Sequence, residues 1–459
     1  MRRIIRWLDD RTGAGQMLQA FLDRPIPKDI GWLHTFGSAL LFLISVQFVT
    51  GTLLALNYAA SPGTAYASVR YLQEHVLFGA LLRGVHLWTG SAIVLLIGLH
   101  ILRTFFYGAY KYPREVTWLT GVGLLLVVMG FSFTGYLLPW DQKAYWATVV
   151  GTNIAGAAPL VGQLALRLLR GGTAIGAATL ARFYGFHVLI LPAAVVLFGT
   201  VHLFMVIRHG IAAPPRRRPL VEPLRGESAR DWYWREYAAE KRRGKPFYEA
   251  LLKDALVAAT LFTLILVLAQ RFGAPLGPAA DPNSTNFVPR PEWYFLDLFQ
   301  LLWYVKGKLE PIGTFLIPTL FILLLLALPF FDHRRERHPL KRPVATAAAA
   351  LAVALVATLT YLGATAPAPG GAGTSVSSGP LTPEQAAGAK LFAQQGCVNC
   401  HTIGNLGGNV GPNLTHVGSR LSRQQLVDMI AHGKKAMPAF KSLTPEELGQ
   451  IAAFLQSRR

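Results

Sequence analysis

Long apolar runs alternate with short polar segments along this chain, without the 3.6-residue stripe of a surface helix or the two-residue alternation of a half-buried strand. The runs lie near residues 33–56, 84–105, 116–138, 185–207, 250–270, 312–331 and 344–363. Each holds roughly 20 residues, enough at about 1.5 Å per residue to cross a hydrocarbon layer of about 30 Å, so seven transmembrane helices are expected. Lys and Arg crowd into the segments before the first run and after the second, fourth and sixth. Basic loops tend to stay in the cytoplasm, which places Met1 inside and everything beyond Leu362 outside. The opening "MRRIIRWLDDRTGAGQ" is basic but has no apolar core behind it, so no cleavable signal peptide is expected.

Two breaks in the pattern divide the chain. A polar, Pro- and Arg-rich connection separates a four-helix membrane domain over 1–215 from a three-helix one over 246–363, with a cytoplasmic linker at 216–245. A second, flexible linker over 364–382 carries most of "GATAPAPGGAGTSVSSGP" and leads to a soluble module over 383–459. That module ends in "LTPEELGQIAAFLQSRR", an amphipathic helix expected to start at a Thr-Pro-Glu-Glu cap. The composition, 52% hydrophobic and 15% charged over 459 residues, belongs to a protein of the lipid bilayer. The net charge of +20 sits between the apolar runs, so it is read as membrane topology and no nucleic-acid partner is expected.

Four histidines fall inside the apolar runs. His86 and His100 are 14 residues apart, on one helix face and about 21 Å apart along the axis; His187 and His202 are 15 apart, about 22 Å. A lone histidine in a span is often a hydrogen-bonded interior residue, whereas four at matched spacing suit two bis-imidazole haem sites, one near each membrane surface. Gly37 and Gly51, and Gly121 and Gly135, repeat the 14-residue interval. Helix packing alone can explain them, but the shared spacing favours clearance for two stacked macrocycles. Arg83 and Arg103 flank one histidine pair, Arg182 and Arg208 the other, as propionate partners or interfacial anchors.

Both cysteines of the chain lie in "GCVNCHTIG". Cys397, Cys400 and His401 make the C-x-x-C-H pattern of covalent haem c attachment, with His401 as the first axial ligand. Zinc is disfavoured, because no further Cys completes a tetrad. Met437, in "HGKKAMPAF", is the expected second axial ligand, with His432 a weaker candidate. "GPNL", Gly411 to Leu414, is similar to the loop of small class I cytochromes c in which the proline carbonyl, here Pro412, bonds the proximal His ring N–H. Haem c is attached outside the cytoplasm in bacteria, in agreement with the topology read from charge.

The four histidines and four glycines, with "GYLLPWDQKAYWATVVGTN" after the third run and "PEWYFLDLFQLLW" after the fifth, together resemble cytochrome b of the quinol:cytochrome c or plastocyanin oxidoreductases. The 15-residue interval, with "RFYGFHVLILP" and "IRHGI" around it, is similar to the cytochrome b6 branch, and residues 246–362 resemble that branch's subunit IV fused to it. The implied fold is all-α: a seven-transmembrane-helix haem-binding bundle with a C-terminal small α-helical cytochrome c domain. The resemblance implies two haem b, His86 and His187 holding the outer one and His100 and His202 the inner one. It also implies that Pro291, Glu292, Trp293 and Tyr294 line a quinol oxidation pocket in which Glu292 takes a quinol proton. Tyr136, Trp140, Tyr145 and Trp146 are expected near that pocket. Thr35 stands where the b6 branch has a cysteine, so no covalent extra haem is expected; a non-covalent third haem stays open.

The function so implied is that of a fused cytochrome b and c subunit of a bc-type complex in the bacterial inner membrane. Quinol would be oxidised outside, one electron passing through two b haems to an inner quinone site and one through a Rieske iron–sulfur protein to the haem c, with proton translocation. Both cysteines being committed to haem c, the Rieske cluster needs a separate subunit. A soluble or membrane cytochrome c, or a terminal oxidase, is the expected acceptor, and a homodimer is the family's expectation. The rival readings are a membrane haem relay without bifurcation, disfavoured by Pro291 to Tyr294, and a haem transporter or sensor, disfavoured by Met437.

Overall fold

The computed structural model describes residues 2–172, 174–282, 290–305, 309, 311–366, 381–404, 406–407, 411–433, 437, 439–440 and 443–458. Among these, seven helices are long and apolar enough to span a membrane: Trp32–Ala55, Gly79–Phe106, Glu115–Leu137, Ala177–His209, Tyr248–Phe272, Ile312–Phe331 and Pro343–Thr365. They coincide with the seven apolar runs. Leu197, Leu324 and Leu355 stand exposed on their outer faces, the surface a helix bundle presents to lipid once its backbone bonds are satisfied internally.

A shared core of Leu43, Ile93, Leu96, Val128 and Ile265 joins the first, second, third and fifth spans. Small residues set the closest approach: a Cβ added at Gly84 would lie 3.0 Å from the Ala269 side chain, so the second and fifth spans meet almost backbone to backbone. The fourth and sixth spans are not uniform α-helices. Each contains a π turn, Phe186–Ile190 and Ile312–Leu316. Pro192 and Pro318 follow, each at the start of the next α segment. Proline supplies no N–H and crowds the carbonyl four residues back, and a locally widened turn relieves both conditions.

On the face away from the N-terminus, the helices Gln142–Gly156 and Gly162–Arg170 follow the third span. Asp141 caps the first of them through Ala144 N and also accepts from Gly277 N, while Gln142 N donates to the Pro278 carbonyl. Tyr66 OH and Trp88 Nε1 donate to the carbonyls of Gly277 and Gly273. The connection after the fifth span is thereby bonded to three separate parts of the first four-span unit.

On the N-terminal face, Pro25–Ile26 pairs antiparallel with Lys245–Pro246. The expected linker at 216–245 is an ordered layer containing the helix Ala229–Arg242, capped by the Ser228 hydroxyl; Arg216 ties it to Asp29 at 2.6 Å and to Glu240. Buried Lys111 and Arg342 converge on Asp332 at 2.8 and 2.9 Å. The seventh helix runs to Thr365, past its expected end, and residues 367–380 of the expected flexible linker lie outside the described residues.

The C-terminal module has its own core of Phe392, Val398, Ile403, Leu426, Ile430 and Phe454. Its first and last helices, Pro383–Gln394 and Pro445–Gln456, pack so closely that a Cβ on Gly388 would fall 1.9 Å from the Gln450 carbonyl oxygen. Thr444 and Glu447 form the expected capping box at the last helix.

Candidate functional site

His86 and His187 face each other across the second and fourth spans, their ring centres 6.4 Å apart. Two imidazoles sharing one metal ion need roughly 6 Å between centres, from about 2 Å per metal–nitrogen bond and about 1 Å from nitrogen to ring centre. The pair therefore fits a single iron between the rings. His100 and His202 lie within each other's electrostatic reach on the same two spans.

Threonines that the sequence reading missed fix three of the rings. Thr50 Oγ1 is 2.8 Å from His86 Nδ1, and Thr134 and Thr120 Oγ1 are 3.1 Å from Nδ1 of His187 and His202. Each hydroxyl donates its only proton to the carbonyl four residues back, at Val46, Gly130 and Val116 respectively. With its proton on that carbonyl the hydroxyl accepts from Nδ1–H, the tautomer that leaves Nε2 its lone pair for a metal. The available signal was the dipeptide Thr-Gly, which precedes each of these contacts at 50–51, 120–121 and 134–135.

The glycines make room first for the histidine rings. A Cβ added at Gly37, Gly51, Gly121 or Gly135 would meet Cε1 of His100, His86, His202 or His187 at 3.4, 3.2, 3.3 and 2.5 Å. The unequal histidine intervals are reconciled by the π turn at Phe186–Ile190, which includes His187. A π turn takes up one extra residue without advancing the helix face by an α-helical step, so 15 residues in the fourth span cover the arc of 14 in the second.

Arg103 Nε and Nη2 are buried without a hydrogen-bond partner, while its Cζ lies 5.0 Å from the Tyr107 ring centre. Orphaned buried donors of this kind suit an anionic carboxylate such as a haem propionate. Arg83 is otherwise engaged: Nη1 donates to Gln73 Oε1 and the Ala274 carbonyl, both at 2.6 Å, and Nη2 to Pro275 at 3.1 Å. Its first task is to hold the loop after the fifth span. Arg182 likewise bonds the carbonyls of Arg167 and Leu168.

Pro291 and Glu292 precede the short turn Trp293–Phe295, which leads into the helix Leu296–Tyr304. Lys143 Nζ is 2.6 Å from Glu292 Oε1 and 5.5 Å from the Tyr136 ring centre. Burial, followed by the nearby Glu292 charge, pushes the Tyr294 phenol above its ordinary range, so it stays a neutral hydrogen-bond donor at every physiological pH. Trp140 and Trp146 are buried and Tyr145 stacks edge-on against both. Trp140 and Tyr145 pack in a core with Leu137, Leu180 and Phe183.

In the C-terminal module, His401 Nδ1 is 2.8 Å from the Pro412 carbonyl, the contact expected from "GPNL". Gly411 is required beside it, since a Cβ there would lie 2.5 Å from His401 Cε1. Burial keeps His401 below its ordinary value, hence neutral at pH 7, and pushes the thiols of Cys397 and Cys400 up to about 12 and about 11. Both are then protonated thiols at pH 7. Among the described residues no group of three or more His, Cys, Asp or Glu side chains is placed to hold a metal ion. Met437 packs against the module's core; its neighbours at 434–436 and 438 lie outside the described residues. His432 is held by its own helix, with Nδ1 on the Asp428 carbonyl at 3.0 Å.

Residues 21–210 match the family model "Cytochrome b/b6/petB", 279–376 match "Cytochrome b(C-terminal)/b6/petD", and 383–455 match "Cytochrome C oxidase, cbb3-type, subunit III". The chain is 40% identical over 222 residues to the menaquinol:cytochrome c reductase cytochrome b subunit of Geobacillus thermodenitrificans, covering 47% of this chain and 99% of that protein. It is 38% identical to a cytochrome b6 of Synechococcus sp. (strain JA-3-3Ab), covering 47% and 100%. It is 34% identical to a cytochrome bc complex cytochrome b subunit of Chlorobaculum thiosulfatiphilum, covering 70% and 72%. Among solved structures it resembles a chain of a hyperthermophilic respiratory complex III, with a TM-score of 0.66 and 25% identity over 86% of this chain and 96% of that one.

Proposed function

This chain belongs to the cytochrome b/b6 family and is the cytochrome b of a bc-type quinol:cytochrome c reductase, extended by a cytochrome c domain; from that premise we propose how its residues divide the work. His86 with His187, and His100 with His202, hold two b haems, and Cys397, Cys400, His401 and Met437 hold one haem c. When bound, these groups supply one-electron relay: one electron from quinol crosses the membrane to an inner quinone site, the other reaches haem c through a Rieske iron–sulfur protein, and protons are translocated. The domains divide at 215, 245 and 382, and the three-helix membrane domain ends with its last helix at Thr365. The N-terminus is cytoplasmic and the cytochrome c domain lies outside the bacterial inner membrane, as the charge pattern favours.

Thr50, Thr120 and Thr134 set the tautomer of three ligand rings, and Arg103 binds a propionate. Glu292, at the margin of an apolar pocket with Pro291, Trp293 and Tyr294, takes a proton from the quinol hydroxyl. Tyr294, kept neutral, donates a hydrogen bond to the quinol oxygen. A homodimer with a separate Rieske subunit, passing electrons to a cytochrome c or terminal oxidase, completes the reading.

The observation that carries it is the facing pair of rings 6.4 Å apart, with a threonine hydroxyl at Nδ1 of each. A pyridine haemochrome assay on the purified complex, coupled to a redox titration, tests it. Two b haems per haem c on this chain, with separated potentials and haem c the highest, are expected. A single b haem, or a low-potential haem c, refutes the assignment.

A further inference from the structure

Lys143 stands on the first turn of the helix Gln142–Gly156, and its ammonium reaches Glu292, 149 residues away. The two meet because Asp141 and Gln142 are bonded to Gly277 and Pro278, which bring the connection after the fifth span against that helix. The ammonium is fixed from two directions, by the carboxylate at 2.6 Å and by the Tyr136 ring face at 5.5 Å. Glu292 makes no side-chain cap to the turn it precedes. Its side chain is 26% exposed and that of Lys143 41%, so the pair is partly open to water.

We propose that Lys143 is a positioning residue for quinol oxidation, holding the Glu292 carboxylate in place so that it accepts the quinol proton and then releases it to water. This rests on the reading of Glu292 as the proton acceptor. In the step itself the quinol O–H bond breaks, an O–H bond forms on Glu292, and the electrons go to the acceptors of the established reaction. The ion pair becomes a neutral acid beside an ammonium. That arrangement favours loss of the proton, because a cation within hydrogen-bond reach stabilises the carboxylate and not the acid.

The other groups facing Glu292 do not substitute for Lys143. Tyr136 from the third span and Tyr294 from the adjoining turn are phenols within its electrostatic reach. Asp141, near Tyr136, is bonded to Ala144 N and Gly277 N. Arg290 is turned to the carbonyls of Ala364 and Ala366 at the end of the seventh span. Among the described residues Lys143 is the one cation bonded to the carboxylate.

The test is steady-state quinol:cytochrome c reduction by the purified complex, in wild type, Lys143→Gln, Lys143→Arg and Glu292→Gln. Lys143→Gln is expected to lower kcat about tenfold, part of the roughly 10²–10⁴-fold that a positioned proton acceptor contributes, with KM for cytochrome c and haem content unchanged; Lys143→Arg restores kcat. Wild-type kcat in Lys143→Gln with normal haem content overturns the proposal. If Glu292→Gln slows turnover while Lys143→Gln does not, only the role of Lys143 fails. If Glu292→Gln behaves as wild type, the reading of the quinol pocket fails with it.

Discussion

Alanine at Gly135 is the most direct perturbation of the paired imidazoles. The added Cβ would lie 2.5 Å from His187 Cε1, about 0.9 Å inside the 3.4 Å at which ordinary contact begins, and only 3.1 and 3.2 Å from the two ring nitrogens. Relief requires the ring to move by roughly that amount, about twice the 0.5 Å tolerance of a preorganised site. Overpacking of this kind costs about 1–3 kcal/mol, or roughly 5- to 150-fold in haem affinity at about 1.4 kcal/mol per tenfold. Gly37→Ala is the matched control, because its Cβ would meet His100 Cε1 at 3.4 Å, an ordinary contact. The haem c of the same chain is an internal standard in a pyridine haemochrome assay. We expect the b:c ratio to fall from about two to about one in Gly135→Ala and to stay at two in Gly37→Ala. Equal ratios in the two variants, with unshifted potentials, would refute the clearance reasoning.

Other outcomes follow from the same geometry. Thr50→Val removes the acceptor from His86 Nδ1–H; the ring becomes a weaker donor, so the potential of the b haem it shares with His187 should rise, and a redox titration showing a fall would contradict the tautomer assignment. Deleting Leu189 together with Pro192→Ala should replace the π turn by α-helix and leave both b haems bound; loss of the His202 haem would show that the bulge does more than absorb a residue. Gly411→Ala, with a Cβ 2.5 Å from His401 Cε1, should abolish haem c staining of the denatured chain while b-haem content persists. Thr444→Ala removes the cap of the last helix and should destabilise the cytochrome c domain by about 1 kcal/mol, measured by thermal melting of its visible absorption.

The long-range plan was legible because it is written in periodic and chemically rare features. Apolar runs of span length have few alternatives in water or lipid, and His86, His100, His187 and His202 stand out in such runs by cost alone. The C-x-x-C-H motif and the Pro412 carbonyl were legible because both act within a dozen residues of His401. What escaped is non-local or hidden in helix winding. The Lys143–Glu292 pair joins residues 149 positions apart, and no local pattern announces it. The π turn leaves the hydropathy unchanged, and only the 15-against-14 mismatch betrayed it. The helix Ala229–Arg242 was passed over because its polar, Arg-rich sequence reads as a linker until Ser228, Arg216 and Glu240 are seen to anchor it.

The clamp around the connection after the fifth span bears on how this polypeptide can be made. Gln142, Tyr66, Trp88 and Arg83 hold residues 273–278 from the first four spans, and on the other face Pro25–Ile26 pairs with Lys245–Pro246. Two halves fastened at both ends have little need of the peptide bonds that join them at 211–228. The cytochrome b6 relative, matched over its entire length by 214 residues, shows that the first half alone is a natural unit of translation. In this chain the covalent link adds a fixed one-to-one ratio of the halves to contacts that already join them on both faces.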